Sequence, residues 1–60
     1  MEDKKIYNVW IDELRININN LSQKEADELS EIFIINGYDM IMIENTESGE
    51  FKSFWKLYTL

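Results

Sequence analysis

The chain has no histidine, no cysteine and no proline, and only two of its 60 residues are glycine. Without histidine it lacks the usual proton shuttle at neutral pH. Without cysteine it lacks thiolate nucleophiles, disulfides and the soft ligands that zinc prefers. We therefore expect a protein with no catalytic residue, no cofactor and no bound metal.

Carboxylates are the remaining candidates for chemistry, at Asp12 and Glu13 or among Glu44, Glu47 and Glu50. Paired carboxylates act as acid and base when burial separates their pKa values. These five lie in segments with the composition of exposed turns, and a domain of this size has little room for a water-excluded pocket. Carboxylates in a turn can also hold a hard cation, but the spacing here does not match a calcium-binding loop.

Basic residues are scarce: six lysines and arginines stand against twelve carboxylates, for a net charge of −6. This balance disfavours nucleic acid as a partner and favours basic proteins. The first residues lack the apolar run of a signal peptide, and no apolar stretch approaches the ~20 residues of a membrane span. We expect a cytoplasmic protein that does not bind membranes.

The length predicts a single domain over residues 1–60. A chain this short buries only about 60% of its unfolded surface, so its stability is marginal. Eight aromatic residues and nine isoleucines are a large apolar content for such a small core. Small domains of this kind often complete their burial against a partner or a second copy.

One helix is predicted over residues 22–36. Ser22 and Glu25 have the spacing of a capping box, in which each side chain bonds a backbone N–H at the start of a helix. Gly37 supplies the left-handed residue that commonly ends a helix. The helix therefore has both a start and a stop signal.

Helical periodicity assigns Ala26, Leu29 and Phe33 to one apolar stripe. Phe33 and Tyr38 are expected to meet across the C-terminal stop. Ile34 falls on the opposite side of the helix, which leaves two interpretations. Either the last turn lies under a loop, or Ile34 is exposed for a partner.

The remaining apolar segments have the composition and alternation of strands. Asp12 and Glu13 predict a tight turn between the first two, and the alternative is one bent strand over residues 5–18. The predicted architecture is α+β, one helix on a four-stranded, antiparallel-rich sheet in the order β-β-α-β-β. The four predicted strands are 6–11, 14–18, 39–44 and 51–58.

A single helix can cover only one face of this sheet, and alternation sorts residues between the two faces. The side chains predicted to face the helix are Tyr7, Val9, Ile11, Leu14, Ile16, Ile18, Ile41, Ile43, Trp55 and Leu57. The opposite face is then predicted to hold Ile6, Trp10, Met40, Met42, Phe54 and Tyr58 among Asn8, Arg15, Asn17, Lys52 and Lys56. This face is too apolar to be an ordinary solvated one, unless one strand has the wrong register or the termini fold over it.

Two rival partner-binding surfaces follow. Aromatic residues, methionine and arginine are enriched in interface cores, which favours a sheet surface of Trp10, Arg15, Met40, Met42, Phe54 and Tyr58. Carboxylates on the helix and turns can imitate phosphates and occupy a nucleic-acid-binding groove of another protein, although charges on a helix are commonly just solvated. The acidic surface comprises Asp27, Glu28, Glu31, Glu44, Glu47 and Glu50.

Three segments together resemble a known group of sequences: Tyr7-Asn8-Val9-Trp10-Ile11, Leu21-Ser22 with Glu25-Ala26, and Gly37-Tyr38-Asp39. They are similar to small proteins of phages and mobile elements of low-GC bacteria, which run from a strand through a capped helix and a Gly-Tyr pair to another strand. The similarity covers roughly residues 6–44 and transfers no functional residue. It implies a context in which small acidic proteins often inhibit host enzymes or host defences, as anti-CRISPR proteins do.

We therefore predict a non-catalytic protein-binding module, a phage-type inhibitor in the cytoplasm of a bacterial host, with a nucleic-acid-binding protein as one possible target. The first alternative is a homodimeric accessory or regulatory module joined through the sheet face. The second is a single-stranded nucleic-acid binder, in which sheet aromatics stack on bases beside lysine and arginine.

Overall fold

The computed structural model describes residues 4–54 and has the predicted α+β architecture. All neighbouring strands are antiparallel, and their order across the sheet is β2-β1-β3-β4. The helix α1 lies between β2 and β3 in the chain. The elements are β1 (Tyr7–Ile11), β2 (Leu14–Arg15), α1 (Gln23–Ile35), β3 (Ile41–Asn45) and β4 (Glu50–Phe54).

A tight turn at Asp12 and Glu13 joins β1 to β2, so the hairpin interpretation is confirmed and the single bent strand is wrong. Ile11 lies opposite Leu14 across this turn. Asp12 adopts a left-handed conformation with φ of 57°, which aspartate tolerates better than most residues. The turn therefore forms without the glycine that two-residue hairpins usually have.

The second strand is shorter than predicted because a bulge interrupts it after Ile16. Ile16 N–H donates to the Val9 carbonyl at 2.9 Å, and pairing with β1 resumes where Tyr7 and Leu21 exchange hydrogen bonds. A regular register would place Ile18 opposite Tyr7, so three residues are inserted here. The predicted inward position of Ile18 is wrong: the bulge leaves it 89% exposed.

Leu14 was also predicted to face the helix, and it is 69% exposed. It shares a face with Ile11 and Ile16 but lies at the tip of the hairpin. There it forms the rim of an open groove whose other apolar lining includes Phe33 and Tyr38. The helix ends before it can cover this tip.

Both predicted helix signals are confirmed. The Ser22 hydroxyl accepts from Glu25 N–H at 3.1 Å, and the Glu25 carboxylate accepts from Ser22 N–H at 2.9 Å. At the other end Gly37 has φ of 98°, and Tyr38 N–H reaches the Phe33 carbonyl at 3.0 Å. The Phe33 and Tyr38 rings meet edge to face with centroids 5.3 Å apart, as a hydrophobic contact across a Schellman stop should.

The buried stripe of α1 includes a polar residue that periodicity alone did not assign to it. Ser30 is fully buried beside Ala26 and donates its hydroxyl hydrogen bond to the Ala26 carbonyl at 2.7 Å. Ile34, one turn further on, packs against the core. Its assignment to the opposite side of the helix is therefore wrong, and exposure instead falls on Ile32 and Ile35.

The core lies between α1 and the two central strands, β1 and β3, against which the helix packs. Its buried centre is Val9, Ala26, Ile41 and Ile43. The predicted inward positions of Val9, Ile41 and Ile43 are thus confirmed, whereas Trp55 and Leu57 lie outside the described residues. Within residues 4–54, no helix has the length and apolar character needed to cross a membrane.

The capping box makes a prediction about acid stability. The Ser22 N–H hydrogen bond holds the pKa of Glu25 below its ordinary value, with Lys5 adding a smaller effect. A carboxyl group with a lowered folded-state pKa stabilises the fold above its unfolded pKa, and the contribution is lost as pH falls through the folded-state pKa. Glu25→Gln keeps an acceptor for Ser22 N–H but cannot titrate, so its stability should fall less steeply in acid than that of the unsubstituted protein.

The measurement is urea unfolding by circular dichroism at a series of pH values from neutral to strongly acidic. Glu28→Gln is the matched control, because Glu28 is an exposed carboxylate on the same helix. Identical pH dependence in the Glu25→Gln variant and the unsubstituted protein would show that the capping carboxylate does not contribute as described.

Candidate interaction surface

The sheet face turned away from α1, hereafter the outer face, can be assigned from strand register. Residues directly opposite each other on neighbouring strands share a face. Trp10 lies opposite Arg15 and Met42, and Glu44 lies opposite Phe51. The outer-face residues within the four strands are Asn8, Trp10, Arg15, Met42, Glu44, Phe51 and Ser53.

The predicted face of the last strand is wrong. Phe54 lies opposite the buried Ile41, and Lys52 lies opposite Ile43, so both side chains are on the helix side. Lys52 was predicted to lie on the outer face because a lysine in this strand should face water. Lys52 instead lines a cleft beside the helix, because α1 packs over β1 and β3 and, within residues 4–54, does not cover β4. Phe51 therefore takes the outer-face position predicted for Phe54.

A buried amide stabilises the edge of the sheet where the bulge interrupts pairing. Asn17, which was predicted to lie on the outer face, is buried and uses both ends of its side chain. Its Oδ1 accepts from Val9 N–H at 2.7 Å, and its Nδ2 donates to Asn8 Oδ1 at 2.9 Å and to the Asn19 carbonyl at 2.8 Å. The side chain thus replaces the backbone partner that Val9 loses at the bulge.

This network continues across the outer face to Trp10. Asn8, itself buried, donates through Nδ2 to the Glu44 carboxylate at 3.2 Å. The same Glu44 oxygen accepts from the Trp10 indole N–H at 2.9 Å. Asn17, Asn8, Glu44 and Trp10 therefore form one connected chain of hydrogen bonds, and the indole has a defined orientation.

Apolar side chains surround that oriented indole. The Trp10 and Phe51 rings have centroids 6.2 Å apart and are tilted by 58°. Phe51 is 50% exposed, Met40 is 66% exposed, and Trp10 and Met42 are half-buried. Met40 precedes β3, where alternation continues the outer face. We call Trp10, Met40, Met42 and Phe51 the outer patch, and Arg15 lies at its β2 edge.

The acidic surface is more divided than predicted. Glu44 does not belong to it, because its carboxylate lies on the outer face and accepts from Trp10 and Asn8. Asp27 and Glu50 line the cleft of about 220 Å³ between the helix and β4, together with Lys52. The carboxylates therefore do not form one continuous surface.

The remaining predicted acidic residues lie apart from one another. Glu28 is exposed on α1, and Glu31 is half-buried on the same helix. Glu47 lies in the turn between β3 and β4, where it forms an exposed ion pair with Lys4 at 3.5 Å. An exposed pair of this kind contributes little stability.

The nucleic-acid interpretation of the sheet surface loses most of its residues. Tyr58 and Lys56 lie outside the described residues, and the nucleic-acid interpretation depended on both. Phe54 and Lys52, on which it also depended, are on the helix side. Within residues 4–54, no three potential metal-binding side chains come together.

Two important features were not predicted from the sequence: the buried, hydrogen-bonded state of Asn17 and the outer-face position of Phe51. The asparagines at 17, 19 and 20 favour loops over regular strand, and they signal the end of the alternation. For Phe51 the signal was the turn between the last two strands. This turn places Asn45 opposite Glu50, and Phe51 therefore lies opposite Glu44 and on the same face.

No protein-family model, no curated protein and no solved structure gives a significant match to the chain. A functional assignment therefore depends on the residues of this surface.

Asn17→Ala should lower the free energy of unfolding by about 1–3 kcal/mol, because it leaves Val9 N–H without its acceptor. Urea unfolding measures the change. Asn19→Ala is the control: Asn19 is a neighbouring exposed asparagine whose backbone carbonyl, rather than its side chain, enters the network. Equal destabilisation by the two variants would contradict the structural role of Asn17.

Glu44→Ala should release the Trp10 indole, because it removes the only side-chain acceptor that the described residues give to that N–H. In proton–nitrogen NMR spectra the indole resonance should move upfield and its hydrogen exchange should accelerate. Glu44→Gln retains a neutral acceptor and should preserve most of the slow exchange. An unchanged indole resonance in Glu44→Ala would contradict the hydrogen bond.

Proposed function

We propose that this protein is a non-catalytic protein-binding domain, acting as a small acidic inhibitor that docks on a partner protein through its outer patch. The observation that carries the proposal is an exposed apolar patch that contains an oriented tryptophan. Exposed apolar patches on small domains commonly mark binding sites. Tryptophan, methionine and arginine are also residue types enriched in interface cores.

The held position of Trp10 supports its role as the anchor of such an interface. Binding costs conformational entropy whenever a mobile side chain must be ordered, so a side chain held in place before binding favours affinity. Trp10 is held by Glu44 through the indole N–H and by Phe51 through its ring. Central, well-packed tryptophans are frequent hot spots of binding energy.

The charge of the chain favours a basic partner. With a net charge of −6, the protein should associate faster with a positively charged surface, and this steering weakens with added salt. Exposed carboxylates such as Glu28 and Glu47 lie away from the outer patch and would act at a distance. A protein whose basic groove binds nucleic acid fits this description, as does the phage-type context implied by the sequence resemblance.

The test compares protein capture by matched variants from lysate of a low-GC bacterium. Met40→Asp introduces a charge into the outer patch, and Ile35→Asp introduces the same charge on the helix at a residue of equal exposure, 66% in each case. A specific partner should be captured by the unsubstituted protein and by Ile35→Asp, and lost with Met40→Asp. A partner retained by Met40→Asp and lost with Ile35→Asp would assign docking to the helix side and overturn the proposal.

Rate measurements with the captured partner separate the contribution of the acidic surface from that of the outer patch. Charge reversal by Glu28→Lys should slow association modestly at low salt and leave dissociation nearly unchanged, since steering acts mainly on the association rate. Surface plasmon resonance at two salt concentrations measures both rates. A large increase in the dissociation rate would instead indicate that the helix carboxylates contact the partner directly, as an imitation of phosphates requires.

A further inference from the structure

We propose that β4 is a self-association edge, through which two copies of the chain pair antiparallel to make one continuous eight-stranded sheet. This surface is the backbone edge of β4, which shares only Phe51 with the outer patch, and the proposal does not depend on the docking function. It follows from the hydrogen-bonding direction of the β4 backbone and from the order of charges along that strand.

The direction of the β4 backbone groups follows from the pairing of its neighbours. Thr46 N–H bonds to the Ile6 carbonyl at 2.9 Å, so the even-numbered residues of β3 direct their backbone groups toward β1. In an antiparallel sheet these directions alternate along each strand. The odd-numbered residues of β3 therefore bond to β4, at Glu50, Lys52 and Phe54.

The intervening residues of β4, Phe51 and Ser53, consequently direct their N–H and C=O groups away from β3. Within residues 4–54, β4 is an edge of the sheet and no other strand pairs with it. Unpaired groups in a row on an exposed edge are a template for another strand. Phe51 and Ser53 are both exposed, so water can bond these groups while no second copy is present.

The side chains favour one register for a second copy. If Phe51 lies opposite Phe51 of the second copy, the two residues exchange backbone hydrogen bonds about a two-fold axis. Glu50 then lies opposite Lys52 of the second copy, and the symmetry repeats this pair. Opposite charges in directly opposed positions stabilise antiparallel pairs, so two complementary pairs flank the axis.

The neighbouring register is less favourable because it is centred on Lys52. It would place two lysines directly opposite each other in a closely spaced pair that does not share hydrogen bonds. Among the described residues, neither Glu50 nor Lys52 forms an ion pair within its own chain. Both are exposed, so both remain accessible to a second copy.

The layers above and below β4 also accommodate the pairing. On the helix side, β4 borders a cleft, since α1 packs over β1 and β3. On the outer face, the Phe51 rings of the two copies would meet beside each Trp10, because Phe51 and Trp10 already touch. The two outer patches would then form one larger apolar surface across the axis.

Sedimentation equilibrium from micromolar to millimolar concentration tests the proposal, and the unsubstituted protein should show a reversible monomer–dimer equilibrium. In a dimer of the Glu50→Lys variant, the introduced lysines lie opposite Lys52 of the other copy. In a dimer of the Lys52→Glu variant, the introduced glutamates lie opposite Glu50. Each single reversal should weaken dimerisation by about tenfold, since both pairs change from attraction to repulsion. The double reversal should restore it.

A mixture of the two single-reversal proteins gives the sharpest result. The lysine at position 50 of one would face the glutamate at position 52 of the other, and the second pair would be complementary as well. A heterodimer tighter than either homodimer is therefore expected. Circular dichroism checks that each variant is folded, which both exposed positions should allow.

Two results would overturn the proposal. One is a monomer throughout the concentration range, and the other is a dimer whose affinity neither single reversal changes. If Met40→Asp abolishes such a dimer, association is assigned to the outer patch instead. None of these outcomes bears on whether Met40→Asp loses a captured partner.

Discussion

A single helix lies on four strands, and its width determines which surfaces remain accessible. A helix with its side chains is about 10 Å across, and neighbouring strands are about 4.8 Å apart, so one helix covers about two strands. Here it packs on β1 and β3 and encloses Val9, Ala26, Ile41 and Ile43. Within residues 4–54, no helix or strand covers the outer face or the region above β4, so both are accessible to water or to partners. The cleft beside Lys52, the exposed outer patch and the open β4 edge all follow from this limited coverage.

The Asn17 side chain links the bulged β2 edge of the sheet to the outer face. The Asn17 amide satisfies Val9 N–H where backbone pairing lapses, and it also bonds Asn8. Asn8 and Trp10 then share a single oxygen of Glu44. Polar groups that could have been solvated independently are connected into a network, and connected networks hold side chains in one arrangement. The tryptophan of the outer patch is therefore structurally coupled to the bulged loop at the neighbouring β2 edge of the sheet.

The same hydrogen-bond network and the cleft beside β4 determine where several of the carboxylates lie. Glu44 does not belong to the acidic surface, because its carboxylate accepts a hydrogen bond on the outer face. Asp27 and Glu50 share a cleft with Lys52, and Glu47 pairs with Lys4. What remains freely exposed is a dispersed negative charge, which suits attraction of a basic partner over distance. The outer patch is apolar and locally ordered, which suits contact at short range.

Local signals in the sequence were sufficient for the helix, its caps and the order of elements. Ser22, Glu25, Gly37 and the Phe33–Tyr38 contact each act within a few residues of chain, so short-range chemistry alone determines them. Alternation likewise identified Val9, Ile41 and Ile43 as inward and Trp10 and Met42 as outward. Alternation indicates which residues of one strand share a face of the sheet. Only pairing with a neighbouring strand determines whether that face is the helix side or the outer face. The faces of Phe54 and Lys52, the burial of Asn17 and the exposure of Ile18 did not follow from alternation. The register of β3 with β4 decided the first two, and the three-residue bulge opposite β1 decided the others. These are contacts between distant parts of the chain, and they exist only once the tertiary structure has formed.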